Sequence, residues 1–193
     1  MGEKTFSPNN WERLVSADRE RMLPVESFIE LSKPQASEIW ADIGCGPGYF
    51  TLPIAERVKK IYAIDISDEM LQVCRNRALE KKITNIEYVK IKNERLPFSK
   101  QFFDKILLVN VYHELEDSKK IINELKRTIK SNGRIYLIDW KYEEMEFGPP
   151  LEHRIPPDKV VDEFKQKNIS LIEISEIYRF NYVLVFGRRD GDE

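Results

Sequence analysis

Short apolar runs alternate with amphipathic stretches along most of the chain. This alternation predicts parallel strand–helix–strand units rather than an all-helical or all-strand protein. Residues 38–44 form an apolar run closing on Asp42 and a glycine loop, and read as the first strand. Residues 49–60 place Phe50, Ile54 and Val58 on one helical face, and residues 60–65 (KIYAID) read as a second strand. Ser67 stands where it can cap the helix SDEMLQVCRNRALEKK, with Met70, Leu71 and Cys74 on its apolar side. Residues 86–91 follow as a third strand. Residues 104–111 (DKILLVNV) are too continuously apolar to be half exposed and predict a central strand. Residues 118–130 carry Ile121, Ile122, Leu125 and Ile129 at helical spacing, with a stop expected at Asn132-Gly133. Residues 134–140 (RIYLIDW) complete the alternation as a fifth strand.

Beyond residue 140 the texture changes. KYEEMEFGPPLEHRIPP is a charged loop with four prolines, too long for a mere connection and therefore functional in expectation. Residues 157–167 read as a helix with Pro157 near its start. Residues 169–180 and 181–188 read as two closing strands, joined tightly near Phe180-Asn181 and hence antiparallel. Residues 1–37 form a polar, partly helical arm. The expected fold is α/β: a Rossmann-like, doubly wound, mostly parallel seven-stranded sheet with an antiparallel C-terminal hairpin strand. One domain is expected over residues 1–193, with the arm (1–37) over the active site and the core in 38–193. Ligands of such sheets bind outside the carboxyl ends of the strands, where Asp42, Asp65, Asn110 and Asp139 all fall.

Composition narrows the partners. The chain has 193 residues, 41% hydrophobic and 33% charged, with a net charge of −2, so no global field favours nucleic acid or an anionic membrane. No apolar run approaches the roughly 18 residues of a membrane-spanning helix, and no signal-peptide core opens the sequence. Cys45 and Cys74 have neither disulfide-framework nor zinc spacing, and no metal-ligand constellation is present. A cytoplasmic protein is expected. The abundance of Lys, Glu and Ile suits a thermophile or an AT-rich genome.

The chemistry concentrates in WADIGCGPGYFT, residues 40–51. Gly44, Gly46 and Gly48 make G-x-G-x-G, which is neither the dinucleotide fingerprint nor a P-loop, and Tyr49 fills the sixth place. Asp42 would repel a pyrophosphate at the helix N-terminus. A ligand with a nucleoside and a cationic end fits better. Asp65, at the next strand end, is placed to accept both hydroxyl hydrogens of a ribose.

Asp42-Ile-Gly-Cys-Gly-Pro-Gly48 resembles motif I of the class I S-adenosylmethionine-dependent methyltransferases. Asp65 resembles their ribose-binding acid, Glu94-Arg-Leu-Pro-Phe98 their -LPF- segment, and Val109-Asn-Val-Tyr-His-Glu-Leu115 their segment after the fourth strand. The resemblance covers roughly residues 38–140 and is greatest to the UbiE-like, or type 11, branch. It implies S-adenosyl-L-methionine as cofactor, and methyl transfer by in-line displacement. It also implies cofactor contacts from Asp42, Gly44, Cys45, Gly46, Gly48, Tyr49, Asp65, Ile66, Met70, Asn93, Glu94 and Asn110. One departure stands out: an Asp that often receives the adenine amino group is replaced by Lys92, a donor only, leaving Asn93 or Glu94 to substitute.

Alignment of the reactants supplies most of such a rate enhancement, and a general base adds about 10²–10⁴-fold. His113 is a candidate base, or else fixes its loop by a backbone hydrogen bond; Glu114 is a candidate to orient it. Tyr112 and Trp140 are candidates for an aromatic wall beside a sulfonium, or ordinary core. His153, between Glu152 and Arg154, belongs to a solvated loop or to a lid. Arg13, Arg19 and Arg21 of the arm, near Trp11 and Met22, greet a carboxylate or pair with surface acids. Cys45 reads as loop packing and Cys74 as core. Arsenite methylation lacks its cysteines, and Asn110-Val-Tyr-His lacks the proline clamp of amino-nitrogen methyltransferases. Metal-assisted catechol chemistry is likewise disfavoured. The acceptor is expected to be a small molecule with an O, N or C acceptor atom. Protein lysine is the alternative, favoured by the acidic rim Glu143, Glu144 and Glu146, and a non-catalytic cofactor-binding subunit is the third class. Nucleic acid is not expected as a partner, and no oligomeric state is implied.

Overall fold

The computed structural model describes residues 8–92 and 95–188 and divides into two compact units, Met1–Asn93 and Glu94–Glu193. The candidates Asn93 and Glu94 lie outside the described residues.

In the first unit a 3-10 turn (Pro8–Val15) leads into α1 (Ala17–Met22) and α2 (Val25–Ser32). Ser16 caps α1 by accepting from the Arg19 amide, and α2 closes on Lys33 in the left-handed conformation. β1 (Ile39–Ile43), β2 (Lys60–Asp65) and β3 (Ile86–Lys90) pair in parallel, with Ile39 opposite Lys60 and Ile61 opposite Ile86. Between β1 and β2 the expected helix over residues 49–60 is shorter, α3 (Thr51–Ala55), because its second half turns to feed β2. α4 (Asp68–Glu80) is capped by Ser67, whose hydroxyl accepts from the Met70 amide, and it buries Met70, Leu71, Cys74 and Ala78.

In the second unit β4 (Phe103–Val109) pairs in parallel with β5 (Ile129–Trp140). Here the structure corrects the sequence. α5 (Ser118–Thr128) ends before Ile129, and the chain passes through Asn132-Gly133 inside β5 rather than stopping the helix there. Gly133 permits this: a Cβ on it would meet the Ile129 side chain at 2.6 Å and the Asp104 carbonyl at 2.8 Å, beside a register shift between Phe103 and Lys105. Ile121, Ile122 and Leu125 form the buried face of α5, as their spacing predicts.

α6 (Pro157–Lys165) begins on the expected proline and buries Val160 and Phe164; the Phe164 ring stacks on Phe186 at 4.0 Å. β6 (Ile169–Ser175) and β7 (Asn181–Arg188) are antiparallel, but the hairpin connection is residues 176–180, longer than the tight turn expected. The seven strands are ordered β3-β2-β1-β4-β5-β7-β6. The order runs backward from β1 and forward from β4, and β7 alone opposes its neighbours, which is the Rossmann-like doubly wound arrangement expected. Among the described residues no helix is long and apolar enough to cross a membrane.

Candidate cofactor and acceptor residues

In the first unit the glycine loop hangs from β2. The Gly44 and Cys45 amides both donate to the Ile64 carbonyl, at 2.7 and 3.1 Å. Gly46 (φ +52°) turns its amide to Asp65 Oδ2 at 2.9 Å, while the Ser67 amide donates to Oδ1 at 2.9 Å. Asp65 thus ties the loop to the start of α4. Its carboxyl is raised above the ordinary value by burial, against the lowering pull of the Ser67, Gly46 and Ile66 amides. A carboxylate has about four lone-pair sites, so those left over remain for hydroxyl hydrogens. Ile66, next in the chain, is 55% exposed, an apolar face beside that acid. Met70 is buried.

Asp42 is buried on β1 and accepts from the Thr51 hydroxyl at 2.6 Å. Burial pushes its carboxyl up to about 7; the Thr51 bond lowers it and the charge of Asp65 raises it further. Among the described residues neither acid has a cationic partner. Gly48 (φ +81°) brings the loop against α4, where a Cβ would stand 2.5 Å from Cys74 Sγ. Cys45 and Cys74 are both buried free thiols, in keeping with packing roles. The arm closes on this loop. Leu14 Cδ1 would lie 3.7 Å from a Cβ on Gly46, and the Tyr49 hydroxyl sits 2.5 Å from Glu20 Oε2 and 2.9 Å from the Leu23 carbonyl. Of the arm's arginines, Arg19 lies 5.7 Å from the Tyr49 ring centroid and Arg21 pairs with Asp18.

These residues fit S-adenosylmethionine: two buried carboxylates face a demand for a cation and for hydroxyl donors, and an exposed aliphatic side chain offers a face for a base. Lys92, where an adenine-binding acid is often found, is exposed.

In the second unit the LPF segment is fastened to α5. The Leu96 amide donates to Glu124 Oε2 at 2.9 Å, and Arg127 donates to the Phe98 and Leu96 carbonyls at 2.5 and 2.8 Å. Asn110 leaves β4 with φ +54°; its amide donates to the Ile138 carbonyl at 2.8 Å, and its Oδ1 accepts from buried Asn181 at 2.7 Å. Asn110 Nδ2 is buried with no hydrogen-bond partner among the described residues. 

His113 is buried in a single 3-10 turn, Tyr112–Glu114, and Asp139 of β5 grips it at two points. The His113 amide donates to Asp139 Oδ2 at 3.1 Å, and Nδ1 lies 2.7 Å from Oδ1, which also accepts from the Trp140 amide at 2.8 Å. Burial lowers the His113 pKa, but the hydrogen bond and charge of Asp139 outweigh it, and with Glu114 they leave the ring raised above 6.5. The expected orienter, Glu114, is corrected by this geometry. Its Oε1 is 3.9 Å from Nε2, beyond hydrogen-bond reach, because neighbouring side chains diverge. The parallel register Val109↔Ile138 sets the chain leaving β4 beside Asp139.

Tyr112 is core rather than wall: it is 1% exposed, lies beside Phe164, and its hydroxyl donates to Glu163 at 2.5 Å. Trp140 is buried beneath Gly148, whose would-be Cβ stands 2.8 Å from the indole. The loop over residues 141–157 is organised by Arg154, a role that nothing in its neighbours Glu152 and His153 signals. Arg154 is buried and donates to the carbonyls of Pro149 (2.8 Å), Lys141 (3.3 Å), Glu143 (2.6 Å) and Phe147 (2.8 Å). Glu143, Glu144 and Glu146 are exposed on this loop.

The model of a methyltransferase domain family (type 11) matches residues 41–137. An uncharacterized methyltransferase, YcgJ of Bacillus subtilis, is 30% identical over 137 residues, 71% of this chain and 49% of the relative. A demethylmenaquinone methyltransferase of Tropheryma whipplei is 32% identical over 107 residues, 55% of this chain and 44% of the relative. A 23S rRNA (uracil(1939)-C(5))-methyltransferase of Vibrio parahaemolyticus is 33% identical over 107 residues, 53% of this chain and 24% of the relative. The chain therefore spans about half the length, or less, of these curated relatives. The crystal structure of a SAM-dependent methyltransferase from Aquifex aeolicus has the same fold: TM-score 0.88 at 24% identity, covering 94% of this chain and 98% of that one. The rRNA-modifying relative leaves the expected exclusion of nucleic acid without support.

Proposed function

This chain belongs to the class I S-adenosylmethionine-dependent methyltransferases, on their UbiE-like branch, and on that premise we propose that it methylates a small-molecule oxygen, nitrogen or carbon acceptor in the cytoplasm. One observation supports this above others: a glycine loop folded around two buried carboxylates that have no cationic partner among the described residues. A nucleotide phosphate would meet repulsion there; a nucleoside carrying an ammonium would not. When bound, the cofactor supplies a methyl group made electrophilic by its sulfonium.

The protein's own part falls to named residues. Asp65 receives ribose hydroxyls on the lone pairs that Gly46 and Ser67 leave over, and Ile66 covers the base. Asp42 balances the charge of the α-ammonium. Gly44, Cys45, Gly46 and Gly48 keep the loop backbone close, while Tyr49 anchors it to the described part of the arm through Glu20 and Leu23. Met70 supports Ser67 at the head of α4, Asn110 offers a buried amide donor, and His113 takes the acceptor's proton. Protein lysine is the second reading, supported by the exposed acids Glu143, Glu144 and Glu146.

Isothermal titration calorimetry with S-adenosylmethionine and S-adenosylhomocysteine, with NAD as control, tests the cofactor. Micromolar binding of the first two and none of NAD is expected. Binding of NAD alone would overturn the reading.

A further inference from the structure

We propose that Asp139 is a positioning residue that holds His113 with its proton on Nδ1, leaving Nε2 to take a proton, and that the acceptor is therefore a protic one: a phenol, an enol or a carbon acid. The inference rests on the methyl-transfer reading above.

Asp139 is 1% exposed and His113 8%, and placing two titratable groups there is costly unless they are bonded to each other. The carboxylate does more than bond. It accepts from the His113 backbone amide with one oxygen and meets the ring with the other, so the turn and the imidazole are fixed together. The Trp140 amide occupies Oδ1 as well and keeps that oxygen in place. An ionised carboxylate only accepts, so Nδ1 donates, and the neutral ring keeps its free lone pair on Nε2. Among the described residues, three charged groups act on the ring. Asp139 from β5 and Glu114 from the same turn favour the imidazolium, whereas Arg154 from the 141–157 loop opposes it. Tyr182 of β7 and Tyr112 lie near Asp139, both raised chiefly by burial and so neutral.

A base held in this way serves an acceptor that must lose a proton. A bond forms between the acceptor's oxygen or carbon and the methyl carbon, and the carbon–sulfur bond breaks with its electron pair kept by sulfur. The acceptor's proton passes to His113 Nε2 and then to water. A thioether or tertiary amine has no proton to give and needs no such arrangement.

The test uses the full chain, 15N-labelled, with long-range 1H–15N spectra of the imidazoles; a His153→Gln variant assigns the two histidines. The wild type should show the Nδ1–H tautomer of His113, titrating above its ordinary value. Asp139→Asn should admit the Nε2–H tautomer and move the midpoint to lower pH, with S-adenosylhomocysteine affinity within about twofold of wild type. A predominant Nε2–H tautomer in the wild type, or unchanged spectra in Asp139→Asn, would overturn the positioning role. The acceptor class is read by labelled methyl transfer to 4-nitrophenol, acetylacetone and dimethyl sulfide. Transfer to the phenol or the diketone, reduced on the order of 10²-fold in Asp139→Asn, supports it. Transfer to the sulfide alone, or to none of the three while S-adenosylhomocysteine binds, overturns it. A wild type that does not bind S-adenosylhomocysteine would instead bring down the methyl-transfer reading and the acceptor class with it, and the spectra alone would then judge the tautomer.

Discussion

With its carboxyl pushed up to about 7 by burial, Asp42 is protonated in a share of the molecules near neutral pH. Charge balance with a ligand ammonium changes that. A unit charge about 4 Å away at an effective dielectric near 20 contributes on the order of 4 kcal/mol, about three decades in the proton equilibrium. Ligand binding should therefore expel the proton near neutral pH, with more released per molecule at pH 6 than at pH 8. S-adenosylhomocysteine, which has the ammonium without the sulfonium, is the cleaner probe. Calorimetric titrations in buffers of different ionisation enthalpy give the protons released directly, and Asp42→Asn should abolish the release. No release at pH 7, or release unchanged in Asp42→Asn, would refute the pairing. The same displacement bears on stability, with the sign set by the unfolded value of 3.8. Between about pH 4 and 7 the unfolded chain holds fewer protons than the folded one, so the ligand-free protein loses stability as pH rises through that window. The whole loss is on the order of 4 kcal/mol, and Asp42→Asn should remove most of it.

Substitutions at Asp65, Arg154 and Gly48 separate the parts of the molecule. Asp65→Ala should weaken S-adenosylhomocysteine binding by about 2–4 kcal/mol, and it should also lower the melting temperature, because the Gly46 and Ser67 amides lose their acceptor; calorimetry and thermal melts read the two effects apart. Arg154→Ala should cost about 2–4 kcal/mol in urea unfolding and open the 141–157 loop to limited proteolysis. Arg154→Lys should rescue little, since an ammonium lacks the fork that reaches several carbonyls. Gly48→Ala should destabilise by about 2–4 kcal/mol through left-handed strain and overlap with Cys74 Sγ, and pairing it with Cys74→Ala should recover part of the overlap term.

Much of this was legible in the chain because it depends on local pattern. The strand runs and the apolar face of α5 follow from periodicity, and the Ser67 cap follows from residue chemistry. The glycine loop was legible for the same reason: its left-handed backbone needs glycine, and the acids lie at fixed distances along the chain. The end of α5 was not legible, because Asn132-Gly133 is an ordinary helix stop unless β4 lies alongside to pair with it. Asp139 and Arg154 belong to the same class. Each acts on atoms distant in sequence, His113 for one and four loop carbonyls for the other, and nothing local to either residue marks those partners. Reading Glu114 as the orienter followed sequence proximity, which a tight turn does not honour.

The backbone sets one candidate position apart. Lys33, Lys82, Gln101, Asn110 and Asn168 all have positive φ. Lys33 closes α2, Lys82 and Asn168 follow the ends of α4 and α6, and Gln101 lies in a turn before β4; helix ends and turns commonly use this conformation. Of these five, Asn110 is the one that follows a strand end, held by the buried amide of Asn181 while its own Nδ2 has no partner among the described residues. Asn110→Gly separates backbone from side chain. Glycine relieves left-handed strain of about 1 kcal/mol, whereas removing Oδ1 leaves Asn181 Nδ2 buried without its acceptor, at about 1–3 kcal/mol. A net loss of up to about 2 kcal/mol in urea unfolding is expected, recovered in part by Asn181→Leu in the Asn110→Gly background, where no polar atom is left to satisfy. A glycine variant more stable than wild type would mean that the amide pair holds nothing in place, and the conformation at the end of β4 would then need another cause.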